Sequence, residues 1–155
     1  YGLKIIRTRM FTHSGPRRGE VFVDSAFARQ VARIEAGVQD SVLVVGNLDS
    51  VRTFADVRDV VRAYWMLLEK CPPGEVYNIA GSEYHDIKTV SDMILGHLGK
   101  DNSQVKYERR ELHNTRDKKG DRRKSQSELG HQTRIKLAEG IPITITWQKA
   151  TYGIR

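Results

Sequence analysis

Two short apolar runs, VLVVG at 42–46 and VYNIAG at 76–81, constrain the fold of this chain more than any other feature. Both are short and rich in β-branched residues, and both read as strands buried on two faces. Between them lies VRTFADVRDVVRAYWMLLEK, residues 51–70, which begins extended at 51–54 and then turns helical. Val57, Val60, Val61, Tyr64 and Leu68 fall on one face of that helix. Asp56 is placed to cap its start, and Asp59 stands three residues on, at the spacing of a capping box. Alternating strands and helices of this kind predict an α/β arrangement with at least some parallel pairing.

The flanking segments continue the alternation. LKIIRTRMF, residues 3–11, reads as a strand that runs into a loop punctuated by Gly15, Pro16 and Gly19. Residues 25–37 read as a helix with Phe27, Val31 and Ile34 on one face, Asp24 or Ser25 as its cap and Gly37 at its end. Residues 87–100 are helical, 105–112 alternate like a strand with one wet face, and 122–130 hold a short helix ended by Gly130. Residues 137–149 stay ambiguous between helix and strand. Their start looks helical, but Ile141, Ile143, Ile145 and Trp147 fall at period two, and Pro142, Thr144 and Thr146 are poor helix-interior residues.

The 155 residues suffice for one core, and no apolar run reaches the length of a membrane-spanning helix. The opening YGLKIIRTRM lacks the charged, apolar and small-residue succession of a signal peptide. The single cysteine, Cys71, forms no internal disulfide and has no metal-ligand cluster around it, which fits a reducing cytoplasm. The net charge of +7 favours an anionic partner. Much of that charge sits in DKKGDRRK, residues 117–124, a run that reads as solvated surface.

The loop THSGPRRGE, residues 12–20, is the first candidate for an anion site. Pro16 fixes its backbone, and Arg17 and Arg18 carry planar forks suited to phosphate. His13 can donate a hydrogen bond or stack beside a nucleotide. The competing reading is a solvated turn in which Glu20 pairs one arginine. Arg52 is the second candidate, because it lies just before a helix N-terminus, where the helix end adds positive potential. Its competing reading is a surface arginine paired with Asp49 or Asp56. Arg58 and Arg62 read as solvated helix face. Arg109, Arg110 and Arg116 join a phosphate site only if their strand folds back over it, and Tyr107 reads as an edge-strand tyrosine. His85, His97 and His113 have no ligand spacing. There is no nucleophile elbow, metal pair or glycine-rich phosphate loop, so no catalytic residue and no metal are assigned.

Four segments carry a family resemblance: RTRMFTHSGPRRGE, SAFARQVARIEAG, VLVVGNLDSVRTFADVRDVVRAYWMLLE and GEVYNIAG. Together they resemble the second half of GDP-mannose 4,6-dehydratases, which are extended short-chain dehydrogenases/reductases. The likeness is close over roughly residues 1–100. It implies an α/β fold consisting of part of a Rossmann sheet plus the small substrate-binding domain. The expectation is a single fragment, 1–155, of last Rossmann strands and nucleotide-sugar-binding domain, without the N-terminal cofactor-binding half. By the same resemblance His13 and Arg18 touch NADP, and Arg17 belongs to a loop that reaches a neighbouring subunit of a homo-oligomer. Arg52 holds the phosphate of the nucleotide sugar, GDP-mannose or a relative. Thr12 stands where the family usually has an asparagine that contacts that substrate. His131 replaces a common tryptophan, Pro142 lies where the family has its last helix, and the family's arginine–proline motif is not recognisable around Arg116.

The implied activity is an NADP-dependent lyase reaction whose catalytic residues lie upstream, so the chain alone is expected to be inactive. VRTFADVRDVVRAY resembles the related GDP-4-keto-6-deoxy-mannose reductases as well, which keeps that activity open. A different class of function, a basic module binding nucleic acid through residues 117–124, ranks lower, because that run lacks interleaved aromatic residues.

Overall fold

A computed structural model describes residues 2–97, 99–100, 102–109 and 116–153. Tyr1, Arg110 and His113, and the expected strand residues 110–112, lie outside the described residues. The fold is α/β. Strand β1 (Arg7–Met10) pairs in parallel with β5 (Val76–Ile79), and β3 (Val42–Val45) pairs in parallel with β7 (Lys106–Arg109). A third sheet is centred on β4 (Val51–Asp56), parallel to the short β2 (His13–Ser14) on one edge and antiparallel to β6 (Glu83–Asp86) on the other. The chain changes neighbour between β1 and β2. Phe11 N still donates to Ile79 O at 3.0 Å, whereas Thr12 O already accepts from Ala55 N at 3.0 Å. A crevice opens where strand neighbours change in this way, and it is the usual ligand site of open α/β sheets.

Helices α1 (Val23–Glu35), α3 (Ile87–His97) and α5 (Leu137–Tyr152) enclose the larger core. Phe27 and Val31 meet Leu43 and Val45 of β3 there, together with Val90 and Ile94 of α3 and Ile141 and Ile145 of α5. A second core lies under α2 (Val57–Lys70) and α4 (Arg123–Leu129), where Ala63 and Leu67 cover Tyr77 and Ile79 beside Leu129.

Most expected elements are present, with four corrections. The first strand covers only residues 7–10, and β6 was not anticipated because EYHD has no apolar alternation. Helix α1 begins at Val23 with Phe22 as its N-cap and no side-chain cap; Asp24 and Ser25 are buried inside its first turn. Asp56 does cap α2, accepting from Arg58 N at 2.9 Å, but Asp59 makes no capping box. Its fully buried carboxylate instead accepts from Arg134 N at 2.8 Å and Ile135 N at 3.0 Å, and pairs with Arg62 at 2.7 Å. Arg62 is therefore an anchor for the tail and not a solvated helix residue.

The ambiguous stretch 137–149 is helical throughout, within α5. Leu137, Ile141, Thr144, Ile145 and Gln148 are buried at helical spacing, while Ile143 faces solvent. Packing against α1 and α3 outweighs the missing N–H of Pro142. The two threonine hydroxyls are absorbed locally: Thr144 Oγ1 donates to Gly140 O at 3.1 Å and Thr146 Oγ1 to Pro142 O at 2.9 Å.

The tail is docked through His131, which is buried, with Nε2–H donating to Asp59 O at 3.1 Å. Burial pulls its pKa below the ordinary histidine value, assisted by Arg62 and Arg122 and opposed by the Asp59 carbonyl and carboxylate. The native state thus binds its proton more weakly than the unfolded chain. The contribution of neutral His131 is complete above about pH 6.5 and declines as pH falls toward the lowered native value. We expect the denaturation midpoint to fall between pH 7.5 and pH 5.5, and to fall less in His131→Gln, as measured by chemical denaturation. Gly81 gives a second expectation. A Cβ there would collide with the Phe54 carbonyl. Gly81→Ala should destabilise the fold by about 1–3 kcal/mol or more, read from the same experiment.

Candidate functional site

The crevice at the change of strand neighbours is the mouth of a cleft of about 1270 Å³. Its wall is built by the end of β1, the β2 turn, the outer face of α1 and the C-terminal end of β3. Phe22, Phe27, Val44, Val45 and Ile87 give it an apolar lining. Thr12, His13, Arg18 and Arg52 all line it, so four of the five expected site residues come together. Arg17 does not. It is exposed on the turn, outside the cleft, with its backbone at φ 68°, a left-handed conformation uncommon for a residue with a Cβ.

The charge of the lining is strongly biased. Arg18, Arg29, Arg33, Arg52 and Lys118 supply five cations against one carboxylate, Glu20, which is paired with Arg29. Such an excess in a partly apolar cleft favours an anion with a flat or apolar portion.

The two central arginines are held in opposite ways. Arg18 is tied to a carboxylate: its Nε is 3.0 Å from Asp24 Oδ1, with side-chain exposures of 10% and 1%. The contact is an ion pair without aligned hydrogen-bond geometry. Ser14 Oγ donates to the other Asp24 oxygen at 2.5 Å, and the Arg18 guanidinium lies 4.1 Å from the Phe22 ring centroid. Burial lowers the Arg18 pKa and Asp24 opposes that effect. Arg52 has no such partner. It is buried, and its Nη1 donates to Val51 O at 2.8 Å. Neither expected carboxylate reaches it: Asp49 lies 3.9 Å from Arg109, and Asp56 holds Arg58 at 2.7 Å. Among the described residues no carboxylate pairs with Arg52, which is adjacent to Lys118 through a parallel β-bridge.

His13 Nδ1 lies 3.3 Å from Phe11 O. A carbonyl only accepts, so Nδ1 is the donor in this contact. Thr12 is fixed through its carbonyl to β4. Asp24 and Lys118 were not singled out from sequence. Asp24 has the signature of an ordinary helix cap, and Lys118 is hidden in a basic run. Among the described residues there is no cluster of potential metal ligands, and no helix is long and apolar enough to cross a membrane.

The family model for GDP-mannose 4,6 dehydratase matches residues 1–144. GDP-mannose 4,6 dehydratase 1 of Arabidopsis thaliana is 32% identical over 138 residues, 87% of this chain and 38% of that protein. GDP-6-deoxy-D-mannose reductase of Pseudomonas aeruginosa is 37% identical over 93 residues, 60% of this chain and 31% of that protein. The solved structure of RMD from Pseudomonas aeruginosa complexed with NADPH superposes with a TM-score of 0.88 at 25% identity, over 97% of this chain and 50% of that one. The chain thus spans 31% and 38% of the length of these curated relatives.

The Asp24 arrangement yields a direct test of the site's architecture. Asp24→Ala removes the partner of a largely buried cation and the acceptor of Ser14. It should destabilise the fold by about 3 kcal/mol, whereas Asp24→Asn, which still accepts from Ser14, should lose less, both measured by denaturant unfolding.

Proposed function

The chain belongs to the GDP-mannose 4,6-dehydratase family, and from that premise we propose that it is the nucleotide-sugar-binding half of such an enzyme. The full reaction converts GDP-mannose to GDP-4-keto-6-deoxy-mannose. The observation that carries the reading is Arg52, a buried guanidinium on the cleft wall without a carboxylate partner among the described residues. A buried cation of this kind is stabilised by an anion placed against it. In this reading Arg52 holds the substrate phosphate, and Thr12 faces the sugar nucleotide from the β1–β2 junction.

The donor set also fits the phosphate end of a nicotinamide cofactor. His13 and Arg18 line the same cleft, and Arg18 is already oriented by Asp24 and Phe22. We assign these two to NADP, which when bound accepts and returns a hydride. Arg17, exposed on its turn, is assigned to contact with a second subunit. No residue of this chain is assigned to acid–base chemistry, so the chain binds without turning substrate over. Cys71, a free thiol, is compatible with a cytoplasmic setting.

A second reading is favoured by a specific observation: the similarity to the Pseudomonas aeruginosa reductase, in sequence and in fold. The two differ in the preferred ligand. Calorimetric titration should show saturable binding of GDP-mannose by the chain, lost about tenfold or more in Arg52→Met. Tighter binding of GDP-4-keto-6-deoxy-mannose would favour the reductase reading. Equal binding by Arg52→Met, or binding of an oligonucleotide in preference to either sugar nucleotide, would overturn both.

A further inference from the structure

We infer that Lys118 is the second half of the phosphate clamp and that, with Arg52, it holds the diphosphate of the nucleotide sugar. The inference rests on the functional reading above and adds to it a residue from the basic run at 117–124.

Most side chains of that run are exposed, as expected, but its backbone is fixed to the sheet. Val51 N donates to Asp117 Oδ1 at 2.9 Å, and Lys118 N donates to Val51 O at 3.0 Å. Asn78 Nδ2 donates to Asp121 O at 2.9 Å, and a Cβ on Gly120 would strike the Ala80 methyl and the Phe11 ring. The segment is therefore strapped against the edge of β4 and the end of β5, close to where β1 gives way to β2. This fixes Lys118 beside Arg52 at the cleft wall.

The carboxylates of the strap are committed elsewhere. Asp117 faces Val51 N and lies 3.9 Å from Lys119, and Asp121 holds Arg123 at 2.5 Å. Among the described residues neither Lys118 nor Arg52 has a counter-ion. Like charges on adjacent positions of paired strands repel one another. The strap nevertheless sets these two in register on adjacent segments, Arg52 buried and Lys118 exposed, at the edge of a cleft already rich in cations. A doubly charged group bridging them removes the repulsion and satisfies both sets of donors. A nucleoside diphosphate sugar carries such a group. Arg52 supplies a planar fork and Lys118 a point charge on a flexible stem, so the two can reach adjacent phosphoryl groups.

The test is a titration of the chain with GDP-mannose and with guanosine, in the unaltered protein and in Lys118→Met, Lys118→Arg and Lys119→Met. Lys118→Met should weaken GDP-mannose about tenfold and leave guanosine unchanged. Lys118→Arg should restore most of the affinity. Lys119→Met should bind like the unaltered chain, because Lys119 is absent from the cleft wall. Melting temperatures should not change, since Lys118 is exposed. Unweakened binding by Lys118→Met, or equal weakening by Lys119→Met, would overturn the inference while leaving the functional reading intact. No binding of GDP-mannose by the unaltered chain would overturn both.

Discussion

The cleft depends on β4 being hydrogen-bonded along both of its edges. One edge takes β2 and the strap at Asp117–Lys118, and the other takes β6. A strand held this way is buried along almost its whole length, from Arg52 to Asp56. Its polar side chains lose water and gain from a partner within the fold or on a ligand, although the Thr53 hydroxyl is buried without one among the described residues. Asp56 is satisfied by the first turn of α2 and by Arg58. Arg52 is at the opposite end, where the strand meets the cleft, and its one internal bond is to the neighbouring carbonyl. The strand is thus closed at its C-terminal end and open to an anion at its N-terminal end.

The tail reinforces the same frame from the other side. Asp59, one turn into α2, gathers two tail amides, Arg62 and a histidine on its carbonyl, so the chain after α4 is locked before α5 begins. Helix α5 then reaches across to α1, where Lys149 meets Glu35 at 2.6 Å and Arg29 stacks on Tyr152. Because α1 forms one wall of the cleft, the docked tail braces that wall without any residue of α5 lining it.

The parts legible in sequence were those in which local pattern and tertiary role agree. The apolar runs at 42–46 and 76–81 are strands, and Asp56 and Gly37 mark helix ends where capping rules place them. His13, Arg18 and Arg52 could be picked out because a loop and a helix start mark their positions. The rest required contacts far apart in the chain. Nothing in LAEGIPITITWQK reveals that α1 and α3 will cover one helical face of it, so its β-branched residues left helix and strand undecided. Asp24 and Asp59 look like caps, since a capping carboxylate and a buried anchor have the same local sequence. Lys118 could not be separated from its basic neighbours until the strap placed it beside Arg52.

The contrast between the two central arginines bears on how such a cleft tells its ligands apart. Arg18 is neutralised in place by Asp24, so an incoming anion there finds an oriented fork with little net attraction. Among the described residues Arg52 and Lys118 have no carboxylate partner, so an anion arriving between them is attracted by both, more by buried Arg52 than by exposed Lys118, whose charge solvent screens. In the proposed function, the diphosphate of a nucleotide sugar is therefore the ligand drawn to the β4 end of the cleft. The Arg18 end discriminates by shape and hydrogen-bond direction. Asp24 thus makes the cations of the cleft unequal, a difference by which two phosphate-bearing ligands of the proposed function would be kept to their own ends.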